Sequence, residues 1–287
     1  ALVSGCALLW GTVGVSTRGV YTVADTNPLS IGFYRLAFSV PLLALLAVRS
    51  LGSNVLKHRP GVATRTGRDL ALMAGIGLMM AFYQVAYFAA IPRLGVTIAV
   101  IITICSAPIM VAILSVVFLK ETITTRMLVA LAAAIAGTAL LALQQPTGAM
   151  AGDEALLGVI YALGSGFGYA MLTLLSRSLA DRYHPLQPIT MGFGIGALLL
   201  LGLALSSGLT VTYPIEGWAL LIYLGVVPTA LAYWLFLLAL RTVPATVSSI
   251  LTLLEPLVSA ILAAVIFHET LAPLGWVGAV LLLGALV

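Results

Sequence analysis

The segment TVSSILTLLEPLVSAILAAVIF, residues Thr246 to Phe267, carries one charged side chain, Glu255, set in its middle and followed at once by Pro256. At about 1.5 Å rise per residue it is long enough to cross a hydrocarbon core of about 30 Å as a helix. At the helical repeat of about 3.6 residues, Ser248, Thr252, Glu255 and Ser259 share one face, while Ile250, Leu253, Leu257, Ile261 and Leu262 cover the others. An ionisable group at that depth costs at least about 2.5 kcal/mol to insert, so the polar stripe is expected to face the protein interior or a water-filled path. Pro256 donates no backbone hydrogen bond and frees the carbonyl of Thr252, four residues back, which predicts a bend at the same depth.

The rest of the chain suits such a span. Of its 287 residues 62% are hydrophobic and 8% charged, with a mean hydropathy of +1.17. Soluble domains run at about 45–50% apolar and about 25% charged, so this is a polytopic membrane protein with the lipid bilayer as its surroundings. The formal charge of +4 resides mostly in short loops, where basic residues set orientation, and nucleic acid is not expected as a partner. Cys6 and Cys105 lie inside apolar segments and read as small core side chains rather than a disulfide or metal site. No cofactor and no metal is expected. No cleavable signal pattern precedes the first helix, and charged tails are expected outside the two apolar ends.

A window of about 19 residues gives ten spans, at 2–20, 30–48, 70–90, 95–118, 125–143, 156–176, 187–206, 217–239, 245–267 and 272–287. Their glycines and the lack of two-residue alternation predict packed transmembrane helices rather than a β-barrel. The loop after the second span holds Arg49, Lys57, Arg59, Arg65 and Arg68, which makes it cytoplasmic by the positive-inside rule and puts both chain ends on the same side. Lys120, Arg126, Arg177, Arg182 and Arg241 then lie inside, and Asp25, Asp153, Glu154, Glu216 and Glu269 outside. Arg18, Arg35 and Arg93 fall toward the outer side, with Arg35 expected to snorkel there from the second span.

The chain also repeats itself. A shift of 148 residues lays Gly77 on Gly225, Phe88 on Phe236, Arg93 on Arg241, Pro108 on Pro256, and Glu121-Thr122 on Glu269-Thr270. For the first two helices of each half the shift is 157, matching Asn27-Pro28-Leu29 to His184-Pro185-Leu186. The expected organisation is therefore two five-helix halves, 1–150 and 151–287, around a central cavity. Five is odd, so the second half enters the membrane from the opposite side.

Two inverted five-helix halves, each with a proline in its fourth helix and a glutamate at that helix's end, resemble the drug/metabolite transporter superfamily, and within it the ten-helix EamA-type carriers. The likeness is carried by Trp10-Gly11, by Pro108 through Phe118-Leu119-Lys120-Glu121, and by Leu254-Glu255-Pro256 through Ile266-Phe267-His268-Glu269. The chain is similar to bacterial YddG-type amino-acid exporters. The resemblance implies export of small metabolites across a bacterial inner membrane by alternating access. Triose-phosphate-type relatives bind anions with buried basic residues, but lysine is absent from the later helices here, which argues against phosphate.

Carriers built this way bind substrate near the midplane, where interrupted helices expose polar groups. The candidate cavity residues are Trp10, Met80, Tyr83, Gln84, Tyr87, Tyr169, Ser248, Thr252 and Glu255. Met80, Tyr83, Gln84 and Tyr87 share a helical face that reads equally as a helix contact with paired Tyr hydroxyls. Trp10 beside Gly11 lines the cavity or fills the space the glycines leave. Glu255 binds a substrate ammonium, accepts a coupling proton, or bonds a neighbouring helix end; its repeat mate is Ala107. Pro108 and Pro256 read as matched bending points, Pro228 as an interruption of the eighth span, and Gly168 as a hinge within Gly164-Ser165-Gly166-Phe167-Gly168-Tyr169.

An enzyme fails on inventory: His58, His184 and His268 lie in loops, Ser165 has no histidine partner within a span, and no Gly-Lys-Ser nucleotide motif is present. The expected function is export of amino acids, aromatic or other small neutral ones among them, by a monomer, since internal duplication suffices for a two-sided path. A drug or lipid-linked substrate is the alternative in the same fold; a channel would differ by flux that does not saturate.

Overall fold

With no water to pair peptide groups inside a bilayer, apolar runs of this length satisfy their backbone as helices. The computed structural model bears this out across the residues it describes, 2–51, 66–142, 153–267 and 273–285. The helices are α1 (Leu2–Val23), α2 (Pro28–Leu51), α3 (Thr66–Leu114), α4 (Thr125–Ala142), α5 (Asp153–Leu179), α6 (Leu186–Ser206), α7 (Ile215–Gly225), α8 (Ala232–Ala239), α9 (Ala245–Thr252), α10 (Leu254–Phe267) and α11 (Pro273–Gly284). Two π-helical turns, Ser115–Leu119 and Val226–Leu231, extend α3 and join α7 to α8. Among the described residues there is no strand, and seven segments are long and apolar enough to cross a membrane, with Thr125–Leu141 and Pro273–Gly284 shorter apolar helices. Large apolar side chains such as Leu198, Phe118, Val265 and Val280 are left exposed on the outer faces, as lipid contact requires.

Interruptions fall where the sequence offers a reason. The expected third and fourth spans are two apolar segments, Gly67–Gly95 and Ile98–Leu119, that meet within α3 at a kink at Gly95, whose positive φ of 75° suits a residue without a side chain. Pro108 does not bend α3 into separate pieces, whereas its repeat mate Pro256 follows a break at Leu253. Pro228 lies in the π-helical turn, where a wider hydrogen-bonding ring accommodates its missing donor. The Glu269-Thr270 pair lies outside the described residues.

Packing is set by glycines at a few crossings. α3 meets α6 so closely that a Cβ on Gly77 would touch the Gly192 carbonyl oxygen, and α7 meets α2 so closely that a Cβ on Gly225 would stand 3.0 Å from the Arg35 carbonyl oxygen. α4 and α11 cross at Gly137 and Gly278, where each Cβ would lie 2.6 Å from the other's carbonyl oxygen.

Overpacking of this kind costs about 1–3 kcal/mol. Gly77→Ala should therefore lower the melting temperature in detergent. Gly194→Ala, whose Cβ would meet nothing within 4 Å, should leave it unchanged; equal shifts in the two variants would refute the contact.

Candidate functional site

α9 and α10 occupy one membrane span broken in two. Leu253 drops out of the helix, its amide bonding Ile250 O at 3.1 Å in a tighter turn, so the bend predicted from Pro256 falls at Thr252 and Leu253. Glu255 consequently sits in the first turn of a new helix, where unpaired backbone N–H groups favour a carboxylate. Glu255 keeps partial accessibility at mid-span, and its carboxylate makes no hydrogen bond or ion pair to a described residue. Thr252 Oγ1 donates to Ser249 O at 2.8 Å, and Ser248 Oγ is buried without a partner among the described residues. Ser259 faces Gly14 of α1, where a Cβ would come within 3.1 Å of its hydroxyl.

Five helices supply an aromatic floor beside this break. Trp10 (α1) packs on Tyr233 and Phe236 (α8) with ring centroids 4.9 and 5.4 Å away, and edge-on to Tyr169 (α5) at 6.5 Å. Tyr169 meets Tyr83 (α3) at 6.4 Å, and Phe193 (α6) closes the far side of Tyr233 at 5.0 Å. These pairs have the tilted and edge-to-face geometry aromatic quadrupoles prefer. The Tyr169 hydroxyl faces Thr252 without closing a well-formed hydrogen bond. Tyr87 lies within electrostatic reach of both Glu255 and Tyr21 of α1. Trp10 Nε1 is buried with no partner among the described residues.

The cluster lies between an exposed end and a tied one. The α1 face that buries Val3, Ala7 and Trp10 continues through Gly14, Arg18 and Tyr21, and from Gly14 onward these residues are exposed. At the other end two charged latches tie the bundle. Asp69, at the start of α3 and buried, takes Arg182 Nη1 at 2.8 Å and the Tyr183 hydroxyl at 3.2 Å. Glu121 accepts the amides of Ala245 and Thr246 at 2.7 and 3.2 Å and the Thr246 hydroxyl at 3.0 Å, capping α9 across 124 residues of sequence. Thr246 Oγ1 also lies 2.8 Å from Ser115 Oγ. Lys120, in the left-handed region at φ 56°, turns the chain so that Glu121 reaches the α9 terminus.

The structure thus gathers Trp10, Tyr83, Tyr87, Tyr169, Thr252 and Glu255 into one cluster, with Ser248 one turn below Thr252. Met80 is buried in the core cluster that also holds Trp10 and Tyr233, and the Gln84 carboxamide oxygen packs on α2, 3.0 Å from the Cβ position of Gly32. Gly168 is not a bend, because α5 runs unbroken through it; the glycine lets α5 approach Tyr83, whose Cβ lies 2.8 Å from the Gly168 Cβ position. Arg35 does not snorkel outward. Its Nε donates to Thr229 Oγ1 of the π-helical turn at 3.4 Å. Tyr233, Thr229 and Glu121 were absent from the expected site. A cation well inside an apolar span was the one signal that pointed to Arg35; Glu121 had none, since an end-of-helix carboxylate usually meets solvent.

The chain matches the EamA-like transporter family twice, over residues 1–143 and 156–287. An uncharacterized transporter of Bacillus subtilis, YwfM, is 32% identical over 284 residues, covering 98% of this chain and 90% of that protein. An uncharacterized transporter of Archaeoglobus fulgidus is 30% identical over 282 residues, covering 98% and 92%. A solved crystal structure at 17% identity superposes with a TM-score of 0.81 over 99% of this chain and 94% of its own, a likeness of fold alone.

Removing a helix cap costs about 0.5–2 kcal/mol, and here the cap also joins two distant segments. Glu121→Ala should lower thermal stability by about that amount. Glu154→Gln, which breaks the more exposed Arg93 ion pair, should cost under about 1 kcal/mol. Comparable losses would show that the Glu121 contacts add nothing beyond a surface pair.

Proposed function

The chain belongs to the EamA-like transporter family, within the drug/metabolite transporter superfamily, and from that premise we propose that it exports amino acids and related small metabolites across a bacterial inner membrane by alternating access. As members of a transporter family, the chain and its relatives move small molecules rather than transform them. The observation that carries the substrate reading is Glu255: a half-buried carboxyl group at mid-span, without a hydrogen bond or ion pair to a described residue, beside a floor of Trp and Tyr rings. In its ionised form it attracts an ammonium, and the rings take an apolar or aromatic side chain.

The reading of two inverted halves, 1–150 and 151–287, ten helices in all, with both ends cytoplasmic, has its own support. The shift of 148 carries Gly77 to Gly225 and the shift of 157 carries Arg35 to Gly192. The contact of Gly77 with the Gly192 carbonyl therefore has the contact of Gly225 with the Arg35 carbonyl as its mate. The family matches the two halves separately. On this orientation the latched end is cytoplasmic and the cavity opens outward, the release stage of an exporter, in a monomer.

A second reading has an observation in its favour. An apolar groove of about 490 Å³ between α2 and α6, walled by Phe33, Val40, Pro41, Met191 and Ile195, suits a drug or lipid-linked substrate entering from the bilayer.

Uptake of labelled amino acids into liposomes bearing the purified protein, with and without a pH gradient, tests both. Saturable uptake that falls about 10–100-fold in Glu255→Gln, as loss of a charged contact implies, is the expected result. Uptake indifferent to the substitution would return Glu255 to a structural role, and its further indifference to the gradient would make the protein a facilitated carrier. Transport of amphiphiles with none of any amino acid would favour the second reading.

A further inference from the structure

Arg35 is held in place by three features of its neighbours. Gly225 lets the α2 backbone settle onto α7 at Arg35 and Phe38. The π-helical turn that follows displaces Thr229 so that its hydroxyl donates to Leu224 O at 2.6 Å. That leaves the hydroxyl oxygen to accept from Arg35 Nε. The guanidinium is thereby fixed by one edge, and its two terminal amino groups make no hydrogen bond or ion pair to a described residue. Its field reaches Glu255 and Tyr233.

Opposite charges that shared a low-dielectric space with freedom to meet would collapse into an ion pair. Arg35 and Glu255 do not meet. Arg35 reaches from α2 to the π-helical turn and Glu255 sits at the head of α10; Arg35 lies within electrostatic reach of Tyr233 and Glu255 of Tyr169, two rings joined through Trp10. Each charge lacks the partner that would offset its desolvation. A molecule carrying both a carboxylate and an ammonium on adjacent atoms supplies the two partners at once.

Resting on the amino-acid reading above, we infer that Arg35 and Glu255 are the two poles of a zwitterion site: Arg35 takes the substrate carboxylate through its terminal amino groups, Glu255 takes the ammonium, and the aromatic floor takes the side chain. The substrate class is free α-amino acids with apolar or aromatic side chains, to the exclusion of amines and of acids that lack one pole.

The test is inhibition of labelled phenylalanine uptake in liposomes by phenylalanine, phenethylamine and 3-phenylpropionate, for the parent, Arg35→Gln, Arg35→Lys and Glu255→Gln. In the parent, phenylalanine should inhibit at least about 10-fold better than either single-pole analogue. For the variants, whose own uptake will be weak, binding is read as ligand-induced thermal stabilisation in detergent. Arg35→Gln should lose stabilisation by phenylalanine and 3-phenylpropionate while keeping that by phenethylamine, and Glu255→Gln should do the reverse for the two analogues. Arg35→Lys should partly restore phenylalanine. Phenylalanine binding that is undiminished in Arg35→Gln would overturn the assignment while leaving amino-acid transport intact. If Arg35→Gln does not fold, the parent alone still decides, because phenethylamine inhibiting as well as phenylalanine leaves no role for a carboxylate pole. Absence of uptake of every amino acid by the parent would instead sink the reading on which the inference rests.

Discussion

Every irregularity in this bundle answers to one constraint: inside a bilayer a backbone group that leaves the helical ladder must find another partner within the protein. The chain leaves the ladder at few places, and most are patched by a short local device. Leu253 turns its amide to Ile250 O. The π-helical turn around Pro228 hands Leu224 O to the Thr229 hydroxyl. The turn ending α3 returns the amides of Lys120 and Glu121 to Ser115 O. Each patch also aims a charged or polar side chain. The break at Leu253 puts Glu255 at a helix head, the Pro228 turn presents Thr229 to Arg35, and the left-handed Lys120 delivers Glu121 to α9. The places where the fold is locally weakest are therefore the places where its chemistry is arranged.

The two ends of the bundle are held by different physics. One end is locked by carboxylates meeting an arginine, a tyrosine and a helix N-terminus, contacts that are directional and lost abruptly when the partner moves. The other is joined between α2, α7 and the segment before α7 by Tyr34, Phe38, Tyr213 and Trp218, with ring centroids 5.0–6.2 Å apart. Apolar ring contacts of that kind tolerate sliding. On the proposed alternating-access cycle, such a bundle gains from having breakable contacts at one end and deformable ones at the other.

How far the sequence predicts all this depends on the range of the cause. The helices, the break at Leu253 just before Pro256, and the inward face of Trp10, Tyr83 and Tyr169 follow from hydropathy, period and proline chemistry, which act within a few residues. What escaped was set across the bundle. Gln84 lies within one helical turn of Tyr83 and Tyr87, yet it turns to Gly32 because α2 offers room there. Gly168 looked like a hinge and is a seat for Tyr83. Arg35 had a free choice between the outer surface and the interior, and the π-helical turn some 194 residues away decides it.

In the proposed two-half frame, duplication has preserved some things and not others. The close approach at Gly77 and its mate at Gly225 is a backbone contact that any side chain would break, so both halves keep it. The charged poles have no such twins: Glu255 corresponds to Ala107, and Arg35 to Gly192, under the shifts that align the halves. A glycine at 192 is what lets α6 seat against Gly77, so an arginine side chain there would abolish the crossing that the symmetry of motion needs. At both crossings a backbone carbonyl meets the partner glycine, but a Cβ at position 192 would lie 2.8 Å from Ile76 Cγ2, whereas the side chain at position 35 has Thr229 to turn to. A symmetric frame can thus rock between two equivalent shapes while the site within it stays one-handed, with its cation on one half and its anion on the other.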